Sequence, residues 1–475
     1  MLGPEPVDAR EDWRSAEIAP GLHLSHCPTL PVERSGTRLL IGIAVQTEPG
    51  RPDPGDELGA DDTDRTAASW SGRWLLVTEA GVRTDAGGTM GCFYRTIEGR
   101  LWISSSPELL RTLPPELPKA SPPLVYQLGM DWYPSPLSGI DGMRRLLQTQ
   151  LLRLTGEVEP RPLVYSIPDR TYPEALDFLQ ERLLTEVENL ARVHGDLWLP
   201  LSGGGDSRLL LALSQKLGID LHTFTFVLPG MSVGDRELPP KVAAEAGYPH
   251  RFVEPEPDGE EDELLELIDT HTGHHMVDIA RRSLAWRQWE KVTGRIELGG
   301  AAVAVGKYSY LSLPEDPPTP AATAEALLDY LPSVRPEGVR AWADWIHATD
   351  DPAYDWRDRF FIEQRSGAWL SCIGQALDLN TVSRVHVGNS EDYLAASYGL
   401  PDEVRHSWVH YEHLIKRLSP GLARYPINPP DSLRQRVSER VARERELLAK
   451  HGSMRTYVVE RTRYWRSRRA VRRMA

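Results

Sequence analysis

The run Ser202-Gly203-Gly204-Gly205-Asp206-Ser207 constrains this chain more than any other stretch, because of what flanks it. It follows the apolar segment Leu197-Trp198-Leu199-Pro200-Leu201 and precedes Leu209-Leu210-Leu211-Ala212-Leu213. Such a pair of runs reads as a buried strand turning directly into a helix. Three successive glycines let the turn be tight and bring several backbone N–H groups to one anion with no Cβ in the way. The helix directs its positive dipole end and its unpaired first-turn amides at the same point. Ser202 and Ser207 add hydroxyl donors, and Asp206 is the hard oxygen ligand that Mg²⁺ prefers. The loop carries no lysine, which separates it from the G-x-x-x-x-G-K-[ST] loop of phosphoryl-transfer proteins. A loop that grips pyrophosphate as a leaving group suits cleavage of ATP between the α and β phosphates, which yields an adenylate.

S-G-G-x-D-S after an apolar strand resembles the signature of the PP-loop ATP pyrophosphatases, and its context resembles their asparagine synthetase-like branch. Two further stretches carry the likeness: the segment 221–230 with Asp235, and the downstream series 400–405, 418–423 and 425–428. The resemblance implies a doubly wound parallel α/β sheet of the adenine nucleotide alpha-hydrolase type with ATP outside the carboxyl ends of its strands, and a helical C-terminal part. It implies ATP and Mg²⁺ as cofactors, and an acyl-adenylate formed from a small-molecule or peptide carboxylate and attacked by an amine. Leu201 and Phe226 would flank the adenine. Asp206 would hold the metal, and the loop amides with Ser202 and Ser207 would stabilise the departing pyrophosphate. Arg208, just inside the helix, can reach a phosphate or pair with an acid.

The family's second phosphate and metal segment should fall at 297–308. Gly299 and Gly300 are present, but Ala301–Val305 stand where carboxylates are expected. Lys307 and Tyr308 can compensate, the lysine as a point charge on phosphate, or Lys307 is a solvated surface lysine. The later family lysine has Lys416 as its nearest candidate, on a different helical face. Nearby, His406, His410 and His413 could form a metal face or a base, or line a solvated helix. His271, His274 and His275 form a second group that would line the substrate side.

Between about Gly21 and Leu163, short apolar or alternating runs broken by turns predict a β-rich layered domain, with 46–69 as a long loop. Asp85, Gly88, Phe93-Tyr94 and Ser104–Leu110 resemble the later half of the Ntn-hydrolase-like glutamine amidotransferase domain that precedes the synthetase domain in this family. That domain works through an amino-terminal cysteine. Here position 2 is Leu, Cys27 falls in an expected strand, and no Asn-Gly-Glu segment occurs, so the reaction is expected to be glutamine-independent. The expected organisation is 1–166 for this domain, 167–454 for the ATP-binding domain and 455–475 for a basic tail.

The 475 residues, 40% of them hydrophobic, suffice for two cores, and no run approaches a membrane span. With no signal peptide pattern at the amino terminus, the cytoplasm is the default expectation. Cys27, Cys92 and Cys372 are widely separated and read as packing residues. A net charge of −14 argues against a nucleic-acid-binding surface, although eight arginines from Arg455 to Arg473 offer either a solvated end or a dock for an acidic partner. The expected activity is an ATP-dependent, AMP-forming amide synthetase, as in peptide or antibiotic tailoring. Asparagine formation and a catalytically impaired nucleotide-binding scaffold are the alternatives.

Overall fold

The computed structural model describes residues 1–430, apart from 8–10, 121–128, 164–165, 228–230, 254–260, 274–294, 350–354 and 380–381. The expected basic tail and His274 and His275 therefore lie outside the described residues. The protein is mixed α/β: two antiparallel sheets come first, then a five-stranded parallel sheet, with helices dominating the C-terminal part.

The first region holds β1 (Leu2–Gly3), β2 (Arg14–Ala19), β3 (Leu22–His26), β4 (Val32–Ser35), β5 (Arg38–Gln46), β6 (Trp70–Thr78), β7 (Gly81–Thr84), β8 (Phe93–Ile97), β9 (Arg100–Ser104), β10 (Arg144–Arg145), β11 (Gln150–Leu152) and β12 (Val158–Pro160). One sheet runs β10-β8-β9-β1-β3-β2 and the other β12-β11-β7-β6-β5-β4. Leu2, Leu24, Tyr94 and Ile103 of the first sheet share a buried cluster with Leu39, Ile41, Leu75 and Val77 of the second, so the two layers are packed together. The segment after β5 is more ordered than the long loop its Gly, Pro and Asp content predicts. It forms the short helices α1 (Pro54–Glu57) and α2 (Thr63–Thr66). The reason is Glu57, whose buried carboxylate accepts from Gln46 Nε2 at 2.8 Å, Trp70 Nε1 at 2.9 Å and Arg51 Nε at 2.8 Å. After β9 comes α3 (Pro107–Arg111).

Helix α4 (Tyr172–His194) begins with a reciprocal capping box between Thr171 and Glu174. The stripe of Leu176, Leu179, Leu183, Val187 and Leu190, spaced at the helical period, is buried. It leads to β13 (Leu197–Pro200), α5 (Gly205–Leu217), β14 (Leu221–Phe226), α6 (Val233–Ala246), β15 (His250–Val253), α7 (Glu261–His271), β16 (Ile296–Gly299) and β17 (Ser383–His386). All pairings in this sheet are parallel, in the order β15-β14-β13-β16-β17. The chain fills one side from β13 to β15, then restarts beside β13 with β16. That reversal makes the gap between the ends of β13 and β16 the topological switch point, where open α/β sheets bind ligands.

The core of the parallel sheet also takes in Ile43, Val45 and Ala86 from the sandwich. Polar contacts tie the two together. Arg83 and Arg161 both donate to Glu391 Oε1, at 2.9 and 2.8 Å. Asn389 Nδ2 donates to the Gly72 carbonyl at 2.6 Å and to Asp85 Oδ1 at 2.7 Å. Glu186 accepts from Ser71 Oγ at 2.5 Å and from the Gly388 amide at 2.9 Å. Burial pushes the Glu186 carboxyl up to about 7 against the pull of those two donors.

Candidate active site

The loop after β13 is held by its own residues and by two segments distant in sequence. Ser202 N–H donates to Ser207 Oγ at 3.2 Å, and the Gly204 amide donates to Ser202 Oγ at 3.1 Å. The Gly203 amide donates to Asp235 Oδ1 at 2.7 Å, while Asp235 Oδ2 accepts from Ser232 Oγ, the N-cap of α6. Helix α5 starts at Gly205, with Gly204 as its extended N-cap. The Gly205, Asp206 and Ser207 amides thus belong to the first turn, where no intrahelical acceptor exists. They are donors for an anion at the head of α5.

From the other end of the chain, 425–428 clamps this loop. The Asn428 amide donates to the Gly203 carbonyl at 2.9 Å, and Asn428 adopts a positive φ of 44° to do so. Arg208 explains why the clamp is so firm. Its guanidinium is almost fully buried and donates to the Tyr425 carbonyl at 2.6 Å, the Pro426 carbonyl at 2.8 Å and the Gly203 carbonyl at 3.3 Å. Burial lowers its pKa to about 10. Both roles expected for Arg208 are therefore revised: its hydrogen bonds go to carbonyls, so it braces the loop from behind and is turned neither to an acid nor to the loop mouth.

Opposite the loop stands the turn after β16. A Cβ on Gly300 would lie 2.8 Å from Asp206 Cβ and 3.2 Å from the Asp206 carbonyl carbon, so only glycine lets the turn approach the head of α5 this closely. Gly299 is likewise packed, with a Cβ there falling 2.3 Å from His386 Nδ1. The one acid of this segment, Glu297, lies in β16 and is fully buried between Arg295 at 3.2 Å and Arg384 at 2.6 Å. It serves the strand and not the loop. A single 3-10 turn, Val303–Gly306, then delivers Lys307. Lys307 Nζ donates to Asp206 Oδ1 at 2.7 Å and lies 4.3 Å from the Tyr411 ring centroid and 5.2 Å from that of Trp408. Tyr411 is itself fixed by a hydrogen bond from its hydroxyl to the Val303 carbonyl.

The remaining expected residues fall as follows. Leu201 is buried with its amide on the Phe224 carbonyl, and Phe226 is half-buried, edge-on to Phe224 at 6.0 Å. Lys416 is exposed on the helix Val409–Leu418, away from the buried face that carries Tyr411 and His410. The three nearby histidines do not converge. His406 Nδ1 bonds the Asp402 carbonyl at 2.7 Å, and His413 Nδ1 bonds the Tyr172 hydroxyl at 2.7 Å. His410 is buried against Gly306, and burial lowers its pKa to about 3. No group of three potential metal-ligating side chains occurs among the described residues, so the metal-face reading of these histidines is withdrawn. His271 bonds Ser106 Oγ at 2.9 Å and so joins α7 to the sandwich. Asp235 acts more directly on the loop than sequence reasoning assigned, and Trp408 was missed altogether. A bulky residue between two helical periods was the available signal.

No helix among the described residues is long and apolar enough to cross a membrane. No protein-family model matches the chain, and no curated protein matches it significantly.

Proposed function

We propose that this protein is an ATP-dependent, AMP-forming amide synthetase of the asparagine synthetase-like, PP-loop type. The observation that carries the reading is the Ser202–Ser207 loop at the switch point, with three first-turn amides and two serine hydroxyls in the loop and Asp206 meeting the Gly299–Lys307 turn. The two-layered antiparallel sandwich before it is compatible with a glutamine amidotransferase-like ancestry. The donor set fits a magnesium nucleotide: Mg²⁺ characteristically uses one or two carboxylates plus phosphate oxygens, and Asp206 supplies one. Bound there, the metal would neutralise charge on the nucleotide's phosphates.

The chain's own residues then have distinct tasks. The Gly205–Ser207 amides and the serine hydroxyls bind the β and γ phosphates and stabilise the pyrophosphate that leaves. Lys307, displaced from Asp206, moves its ammonium toward the α-phosphate and the attacking carboxylate. Leu201 and Phe226 provide the apolar adenine seat, and Arg208, Asp235 and Asn428 keep the loop in its shape. Attack by an amine on the acyl-adenylate carbonyl forms the amide C–N bond as the bond from that carbonyl to the phosphate oxygen breaks, releasing AMP and a proton. Leu2 is buried in the sandwich core and Cys27 contacts Thr29, and the amine enters in this reading without glutamine as its source.

The test is pyrophosphate release from ATP and Mg²⁺ over a panel of carboxylates and amines, with glutamate release from glutamine followed in parallel. Carboxylate-dependent pyrophosphate without glutamate supports the proposal, and failure to bind ATP ends it. Asparagine formed from aspartate and ammonium would move the assignment to asparagine synthesis. One observation favours a second reading, a nucleotide-binding scaffold: Asp206 is already neutralised by Lys307 and the facing segment 301–305 is uncharged. Nucleotide binding without turnover over the whole panel would favour that scaffold.

A further inference from the structure

The helices Asp402–Ser407 and Val409–Leu418 meet at one residue, Trp408, at φ 57° and ψ 19°. Its amide donates to the Val404 carbonyl and its carbonyl accepts from the Tyr411 amide, so it caps both helices at once. A left-handed joint of this kind favours glycine, because a Cβ is penalised there. Burial does not offset that penalty, since 48% of Trp408 remains exposed. What the conformation does achieve is to place the half-exposed indole beside the loop, 5.2 Å from Lys307 Nζ, which itself is 2.7 Å from Asp206. Residues kept in disfavoured backbone regions cluster where ligands are contacted.

We propose that Trp408 is a substrate-contacting specificity residue, and that its indole receives the apolar or aromatic side chain of the residue whose carboxylate is activated. This rests on the adenylation reading above. The carboxylate lies toward Lys307 while the side chain lies on the ring. The separation of ammonium and indole centroid is on the order of one residue of chain, so an amino-acid or peptide carboxylate with a bulky apolar side chain engages both groups. A small side chain engages only the lysine. Two flat rings in contact lose little conformational freedom, which makes the preference steep.

The experiment measures binding of acetyl-glycyl-phenylalanine and acetyl-glycyl-alanine to the full chain with Mg²⁺ and α,β-methylene-ATP, a nucleotide that cannot be cleaved at the α–β position. The phenylalanine probe is expected to bind at least tenfold more tightly than the alanine probe. Trp408→Phe should keep most of that preference and Trp408→Gly should lose it, without a fall in melting temperature or nucleotide affinity, because glycine suits the joint. Equal binding of the two probes by the unmodified protein, or a preference that survives in Trp408→Gly, overturns the proposal. If the Trp408-dependent preference is found but no carboxylate of the panel, these probes included, yields pyrophosphate from ATP, the contact role stands and the adenylation reading is what fails.

Discussion

Exchanging Lys307 for methionine separates its two tasks, because it removes the ammonium while keeping an unbranched stem between Tyr411 and Trp408. In the free protein that ammonium sits 2.7 Å from Asp206 Oδ1, with side-chain exposures of 17% for the lysine and 36% for the aspartate. At an effective dielectric of ~20, two unit charges at this separation attract by roughly 6 kcal/mol before desolvation. Partial exposure, side-chain ordering and screening reduce the net worth of such a pair to about 1 kcal/mol. A cation that needs Asp206 must displace Lys307, so removing the lysine should lower the Mg²⁺ concentration needed for ATP binding by about fivefold. The same change should lower carboxylate-dependent pyrophosphate release by on the order of 100-fold, the scale of losing one preorganised charge at a reacting centre. The assay pair is calorimetric ATP binding over a Mg²⁺ series and steady-state pyrophosphate release. An unchanged Mg²⁺ requirement would refute the ion pair as a competitor for the metal. Undiminished turnover would refute Lys307 as the compensating charge.

Three other perturbations probe the frame around the loop. Gly300→Ala forces a Cβ to 2.8 Å from Asp206 Cβ; overpacking of this kind costs about 1–3 kcal/mol, and calorimetry should show ATP binding weakened together with the melting temperature. Arg208→Met removes two hydrogen bonds that the buried guanidinium donates to the part-buried Tyr425 and Pro426 carbonyls; bonds from a charged donor are worth about 1.5–3 kcal/mol, so denaturant unfolding should register a loss of that order, and Arg208→Lys should recover only part of it. Glu186 supplies a pH signature: its folded carboxyl titrates at about 7, above the usual 4.5, so folding takes up protons between those values. Stability therefore declines as pH rises from about 5 to 8, by up to about 3 kcal/mol from this group, and Glu186→Gln should flatten the melting temperature over that range.

Much of this architecture is legible residue by residue. The stripe from Leu176 to Leu190 lies on the buried face of α4 because its spacing matches the helical period. Strand β17 was not legible: four residues, Ser383–His386, between helices carry no periodicity to detect, and only pairing with β16 makes them a strand. The 46–69 segment misled because composition reports turn residues but not Glu57's three hydrogen-bond donors, two of them on strand residues.

For the site, the sequence alone determined that a glycine-rich turn joins a strand to a helix at Ser202–Ser207 and that the turn at 299–307 lacks acids in its loop. Both are local: glycine's freedom and the identity of a side chain need no partner to be known. Tertiary structure decided everything that depends on who meets whom. It put Lys307 on Asp206 across 101 positions, turned Arg208 inward to hold carbonyls more than 200 residues away, and set Trp408 beside Lys307 in a conformation its side chain disfavours. Hydrogen bonds and ion pairs act over a few ångströms of space, and sequence spacing carries no measure of that distance until the sheet order brings the ends of β13 and β16 together.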